Sequence, residues 1–247
     1  MTANLVFVHG GGQGSWVWDQ TIAALLARSK DVRCLALDVP GCGTKRGRDI
    51  ASLDMDDIAR ELVAEIVDSG MQSIVLVGHS QAGMLMPRMV ECAAARFDRL
   101  VYVSCSAPPP GTSIMQLIGE GVQGQRDDCV GWALDEKTTP MIEIFREMFC
   151  TGMSADQQEA FLAKLLHDSW PPKTYTQSDW RYEHLTAQPA TYILCDRDKS
   201  LPPVWQQRFA KQLGVERTLG IDAGHQVMNT HPELLAEILR AECTTGR

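Results

Sequence analysis

An α/β fold with a mostly parallel central sheet, helices on both faces and a helical insertion is predicted by three features of the sequence. Short, almost continuously apolar runs alternate with helical patterns, the rhythm of a sheet buried on both sides. One such run, Ser73-Ile74-Val75-Leu76-Val77, leads straight into Gly78-His79-Ser80-Gln81-Ala82-Gly83, a strand–turn–helix junction flanked by small residues. From 108 to 187 the alternation stops, and it resumes after Pro189.

Strands are expected at Leu5–Val8, Val32–Leu37, Ser73–Val77, Leu100–Ser104, Thr191–Leu194 and Val215–Ile221, each short, apolar and bounded by turn residues. Between them, helical spacing covers Trp18–Arg28, Met55–Asp68, Gln81–Ala95, Pro203–Leu213 and Pro232–Glu242. Ser52 is a candidate cap for the second of these helices, and Ser69-Gly70 its stop. The core is therefore expected to comprise 1–107 and 188–247, with 108–187 inserted as a helical cap. Pro108-Pro109-Pro110-Gly111 opens the insertion, and Trp170-Pro171-Pro172 forces a stiff turn within it. Two amphipathic helices are expected inside, Met141–Phe149 and Ala155–Leu166, with Ser154 capping the second. Insertions of this length between core strands commonly cover a site as a lid.

The 247 residues suffice for a large core, in one α/β domain with an insertion or in two domains. A hydrophobic fraction of 45% and a charged fraction of 22% are ordinary for a soluble globular chain. A net charge of -8 argues against nucleic acid and against an anionic membrane surface as partners. The chain enters a strand almost at once, without the basic and long apolar regions of a secretory signal. No apolar stretch is long enough to cross a bilayer. Eight cysteines show neither a C-x-x-C pair nor zinc spacing. Cys34, Cys105 and Cys195 fall in apolar strand-like runs, so a reduced, cytoplasmic protein without a metal or cofactor is expected.

Acyl transfer by a serine needs a nucleophile, a base, an acid that orients the base, and donors for the oxyanion. Ser80 stands at the tip of the small-residue turn, where its hydroxyl would be exposed above the sheet in a strained conformation. His225 follows the last strand, at the sheet edge where open α/β folds bind ligands. His9 and His79 are locked in tight turns and expected to make structural hydrogen bonds; His167, His184 and His231 are expected to be solvated or packed in the lid. The acid comes from Cys195-Asp196-Arg197-Asp198-Lys199. Asp198 is preferred because it lies further into the loop; Asp196 could instead fix that loop or pair with Arg197. His9-Gly10-Gly11-Gly12 supplies backbone donors, with the N–H groups of Gly11 and Gln81 as the expected oxyanion pair. Asp38 is read as bracing its turn, and Lys45-Arg46-Gly47-Arg48 as a solvated loop.

The motifs Val8-His9-Gly10-Gly11-Gly12, Gly14-Ser15-Trp16-Val17-Trp18, Gly78-His79-Ser80-Gln81-Ala82-Gly83, Asp198-Lys199 with Pro202, and Gly224-His225 resemble those of the α/β-hydrolase superfamily. They are most similar to its small esterase and hydroxynitrile lyase group, which includes plant methyl-ester esterases. The resemblance implies Ser80, Asp198 and His225 as a catalytic triad, with Gly11 and Gln81 as oxyanion donors. Lyase members place a lysine beside the catalytic histidine, where this chain has Gln226. Esterases often carry an apolar residue after the serine, where this chain has the polar Gln81.

The expected activity is hydrolysis of small carboxylic esters through an acyl-enzyme. A C–C bond hydrolase, a lyase or cyclase on the same residues, and a ligand-binding protein of the same fold are the alternatives. A small-molecule ester is the expected partner, with a homodimer as the default assembly.

Overall fold

A computed structural model describes residues 2–165, 167–215 and 217–244. Six strands, β1 (Ala3–Val8), β2 (Val32–Leu37), β3 (Ile74–His79), β4 (Phe97–Val103), β5 (Ala190–Cys195) and β6 (Arg217–Ile221), form one sheet. Its order is β2-β1-β3-β4-β5-β6, and every neighbouring pair is parallel. The chain begins beside β2, then turns back to build the sheet outward from β3. Parallel pairing sends the carboxyl ends of β3, β4, β5 and β6 to one rim in sequence order. The parallel α/β architecture read from the sequence is the one observed.

Side chains alternate across this sheet. Leu5, Phe7, Val75, Val77, Val101 and Val103 face one apolar layer, closed by α1 (Asp19–Arg28), α8 (Val227–Thr230) and α9 (Pro232–Glu242). Val6, Val8, Leu76, Leu100 and Tyr102 face the other, closed by α2 (Met55–Asp68), α3 (Ala82–Ala93) and α7 (Pro203–Gln212). All six residues of β3 are buried, which is why its sequence is apolar without alternation.

The expected cap of α2 moves from Ser52 to Asp54. The Asp54 carboxylate accepts the N–H of Asp57 at 2.9 Å, and the Asp57 carboxylate accepts the N–H of Asp54 at 3.2 Å. Met55, fully buried, is the first residue that must face the core, so the helix starts beside it. The helix stops at Ser69-Gly70 as expected, with Gly70 at φ 71°. β3 continues through His79, and α3 ends at Ala93 before a 3₁₀ turn over Ala94–Arg96. Leu166 and Glu216, included in the expected second insertion helix and last strand, lie outside the described residues.

Within 108–187, α5 (Met141–Phe149) has its expected bounds, and α6 (Ala155–Leu165) is capped by Ser154 Oγ, which accepts the N–H of Gln157 at 3.3 Å. A short helix, α4 (Ile114–Ile118), was not anticipated; Ser113 and Gln116 close its capping box. This segment packs into both layers. Ile144, Phe149, Phe161 and Leu165 join the α1/α9 side, while Ile114, Leu117, Trp170 and Trp180 join the other. Several ion pairs fasten it to the core, among them Arg181 with Glu91 at 2.9 Å. Arg88 on α3, 1% exposed, pairs with Asp179 at 2.9 Å. Arg46 grips Asp168 through Nε at 2.6 Å and Nη2 at 2.9 Å.

The loop Lys45-Arg46-Gly47-Arg48 is largely exposed, as expected, but its three charges are all paired. Lys45 pairs with Glu61 at 2.9 Å and with Glu65, and Arg48 meets Glu61 at 2.6 and 3.0 Å. The partners lie on α2 and in the insertion, too far along the chain for local composition to reveal them. Asp38 does brace its turn, accepting N–H groups from Ser15 at 2.6 Å and Thr44 at 2.9 Å.

Candidate active site at the carboxyl rim of the sheet

Ser80 follows β3 with φ 54°, left-handed backbone that a side chain adopts only when its surroundings enforce it. Here the enforcement is visible. Its N–H donates to Val103 O at 3.2 Å, and its carbonyl accepts from Ser106 N–H at 2.9 Å and Gly83 N–H at 3.1 Å. The turn also requires close approach of neighbours. A β-carbon at Gly83 would collide with the Ser106 carbonyl and stand 2.7 Å from Cys105 Cβ; one at Gly10 would stand 2.9 Å from Ser80 Cβ. The small residues thus let α3 leave β3 at once while the loop after β1 lies against the serine.

That loop is rigid. His9, fully buried, accepts the Val39 N–H on Nε2 at 3.0 Å, which leaves Nδ1 to donate to Gly10 O at 2.8 Å. Trp170 Nε1–H donates to the same carbonyl at 3.0 Å. Among the described residues, the N–H groups of Gly11 and Gln81 donate to no protein acceptor. Gln81 also precedes the first turn of α3, whose aligned peptide dipoles favour negative charge.

The imidazole and carboxylate expected from the sequence are brought together. His225 Nδ1 lies 2.6 Å from Asp198 Oδ2, with both residues buried. Asp198 Oδ1 accepts the N–H groups of Ser200 and Leu201, each at 2.7 Å. Such bonding pins the carboxylate's orientation. Asp196 is exposed, and Arg197 pairs with Asp222 at 2.8 Å rather than with Asp196. His225 Nε2 is buried and, among the described residues, has no hydrogen-bond partner, although the ring is held by Phe149, at 5.5 Å between centroids, and by His79, at 4.5 Å. His79 Nε2 donates to the carbonyl of His225 at 3.0 Å. Burial, then the neighbouring His225, pushes the His79 imidazole well below its ordinary range, so it stays neutral.

Sequence reasoning missed Ser104, the residue after β4. Fully buried and at φ 42°, it donates Oγ–H to Asp198 Oδ2 at 2.5 Å and lies 3.5 Å from His225 Nδ1. Its position just past a strand next to β3 and β5 was the available signal. Ser80, Ser104, Asp198 and His225 therefore follow β3, β4, β5 and β6, four successive strands at one rim. The remaining histidines lie elsewhere: His167 is exposed, His184 bonds Pro87 O at 3.0 Å, and His231 bonds Thr230 Oγ1 at 2.9 Å. Among the described residues no cluster of His, Cys, Asp and Glu is placed to hold a metal, and no helix is long and apolar enough to cross a membrane.

Relatives of known name resemble the chain in sequence. Polyneuridine aldehyde esterase of Rauvolfia serpentina is 24% identical, covering 96% of this chain and 94% of its own. A carbendazim-hydrolysing esterase of Nocardioides sp. is 30% identical over 116 residues, 47% of each chain, so the match spans about half of that protein. Among solved structures, a pyrethroid hydrolase from Sphingobium faniae JZ-2 superposes with a TM-score of 0.78 at 19% identity, covering 100% of this chain and 99% of its own. A model of the alpha/beta hydrolase family matches residues 5–238, and the chain belongs to that family.

Proposed function

We propose that the chain is a serine hydrolase that cleaves small carboxylic esters through an acyl-enzyme. The reading is carried by the imidazole of His225, fixed on Nδ1 by Asp198 at 2.6 Å while Nε2 is left without a partner at the rim where Ser80 stands. Esterases and hydrolases among its relatives support the same bond class. Residues 108–187 act as the cap: Phe149 and Trp170 touch the base and the oxyanion loop respectively.

Ser80 Oγ attacks the ester carbonyl as His225 Nε2 takes its proton. Asp198 holds the imidazolium that forms and keeps Nδ1 protonated. The negative oxygen of the tetrahedral intermediate is received by the N–H groups of Gly11 and Gln81, and each such donor is commonly worth about 3 kcal/mol. The intermediate collapses as His225 returns its proton to the departing alcohol. A water molecule then attacks the acyl-enzyme, giving its proton to His225, and the carboxylic acid leaves Ser80 restored.

Treatment with a fluorophosphonate should add one phosphonyl group at Ser80 and abolish ester turnover, and Ser80→Ala should be inert and unlabelled with an unchanged melting profile. Retained turnover in Ser80→Ala would reject the reading.

A further inference from the structure

Gln81 carries, besides its backbone N–H, a side chain with no evident role in the chemistry above. It is buried, at 6% exposure, and reaches across the oxyanion loop into the insertion. Thr174 Oγ1 spends its own proton on Pro171 O at 2.6 Å, so it can only accept, and Gln81 Nε2 donates to it at 3.4 Å. This fixes the amide orientation: nitrogen toward Thr174, oxygen toward Gly11. Gln81 Oε1 occupies the space a β-carbon at Gly11 would need, and Tyr175 Oη lies 3.6 Å from that same point. Among the described residues neither Gln81 Oε1 nor Tyr175 Oη is paired with a protein group, and neither is a buried orphan atom, so both face accessible space. Burial pushes the Tyr175 phenol up to about 12, so it remains a donor. An unmet acceptor and an unmet hydroxyl thus converge beside one of the two oxyanion donors. A ligand that displaces water from this pair without replacing its hydrogen bonds leaves both groups unsatisfied, which is costly.

An ester whose carbonyl oxygen sits between the N–H groups of Gly11 and Gln81 presents the substituents of its α-carbon to this pair. A plain alkyl chain leaves both groups unanswered. A hydroxyl answers both, donating to Gln81 Oε1 and accepting from Tyr175 O–H. We infer that the side chains of Gln81 and Tyr175 form a polar subsite that selects esters of 2-hydroxy carboxylic acids over their deoxy counterparts. This inference rests on the esterase reading of the same site.

The test compares methyl 2-hydroxy-3-phenylpropanoate, as separate enantiomers, with methyl 3-phenylpropanoate, reading kcat/KM for the full-length protein and for Gln81→Leu and Tyr175→Phe. The wild type should prefer one hydroxy enantiomer by about 30-fold or more, because a site built for a hydroxyl rejects its absence strongly. Each variant should cut that preference to within about threefold of parity. The ratio within one protein cancels any change at the oxyanion donors, and comparison across proteins cancels the intrinsic reactivity of the hydroxy ester. Equal rates in the wild type, or a preference that survives both substitutions, would overturn the subsite while leaving the esterase reading intact. No hydrolysis of either ester, with Ser80 unreactive toward a fluorophosphonate, would remove both.

Discussion

Ser104 Oγ and His225 Nδ1 share a single oxygen of Asp198, at 2.5 Å and 2.6 Å respectively. The carboxylate is therefore held from β4 as well as by the backbone of its own loop. Ser104 adopts left-handed backbone to reach it, at φ 42°. Strain accepted for one hydrogen bond marks Ser104 as a positioning residue for the carboxylate.

Replacing Ser104 should therefore affect rate more than binding. Ser104→Gly removes the hydroxyl yet suits the backbone, and should lower kcat about tenfold, equivalent to about 1.4 kcal/mol, with KM little changed. Ser104→Ala should lose the same activity and melt earlier than the glycine variant, because a β-carbon is disfavoured at that φ. Steady-state kinetics and thermal melts separate the two effects.

The two aspartates of the β5 loop should behave very differently. Asp198→Asn should cut kcat by orders of magnitude, about 10⁴ in serine proteases with the same imidazole–carboxylate arrangement. Asp196→Asn, on an exposed side chain, should leave kcat within about twofold. Inversion of this order would transfer the orienting role to Asp196.

Asp168 anchors the insertion. Its side chain, 0% exposed, accepts from Arg46, from Trp16 Nε1 at 2.8 Å and from Gly43 N–H at 2.8 Å. Burial raises its pKa, but the bonds from Arg46, Trp16 and Gly43 outweigh it and hold the carboxyl below the usual range. Asp168→Ala should cost about 1–3 kcal/mol in denaturant unfolding, because it leaves the Trp16 and Gly43 N–H groups unpaired while Arg46, 42% exposed, can turn to water. Since the folded value is depressed, this stabilisation is complete above about pH 4, the unfolded aspartate range, and fades as pH falls through the folded value.

Two buried histidines set a second limit on the acid side. Burial lowers His9 despite its bond to the Gly10 carbonyl, and lowers His79 further. Both take up protons more readily unfolded than folded. Stability should hold above about pH 6.5 and decline below it, by about 1.4 kcal/mol per pH unit for each histidine, until the folded values are reached. Urea midpoints measured across that range check this, and His79→Gln should reduce the slope.

Much of this was legible in the chain because it is local. β2, α2, α5 and α9 have the bounds their apolar spacing predicts. The Ser80 turn is readable because small residues and a buried strand must occur together in sequence. Ser104, by contrast, carries no motif; its meaning comes from the register that puts β4 between β3 and β5. Arg46 and Asp168 are 122 residues apart, and Gln81 and Thr174 are 93 apart, so neither contact leaves a periodic trace. Ser52 and Asp54 are chemically equivalent caps, and only the burial of Met55 chooses between them.

Trp170 hangs its indole N–H from Gly10 O, two residues from the Asp168 clamp. Swinging 168–170 away from the sheet would therefore tug on the very peptide units expected to cradle developing charge. A door that cannot open there without deforming its own frame must admit reactants by some other edge.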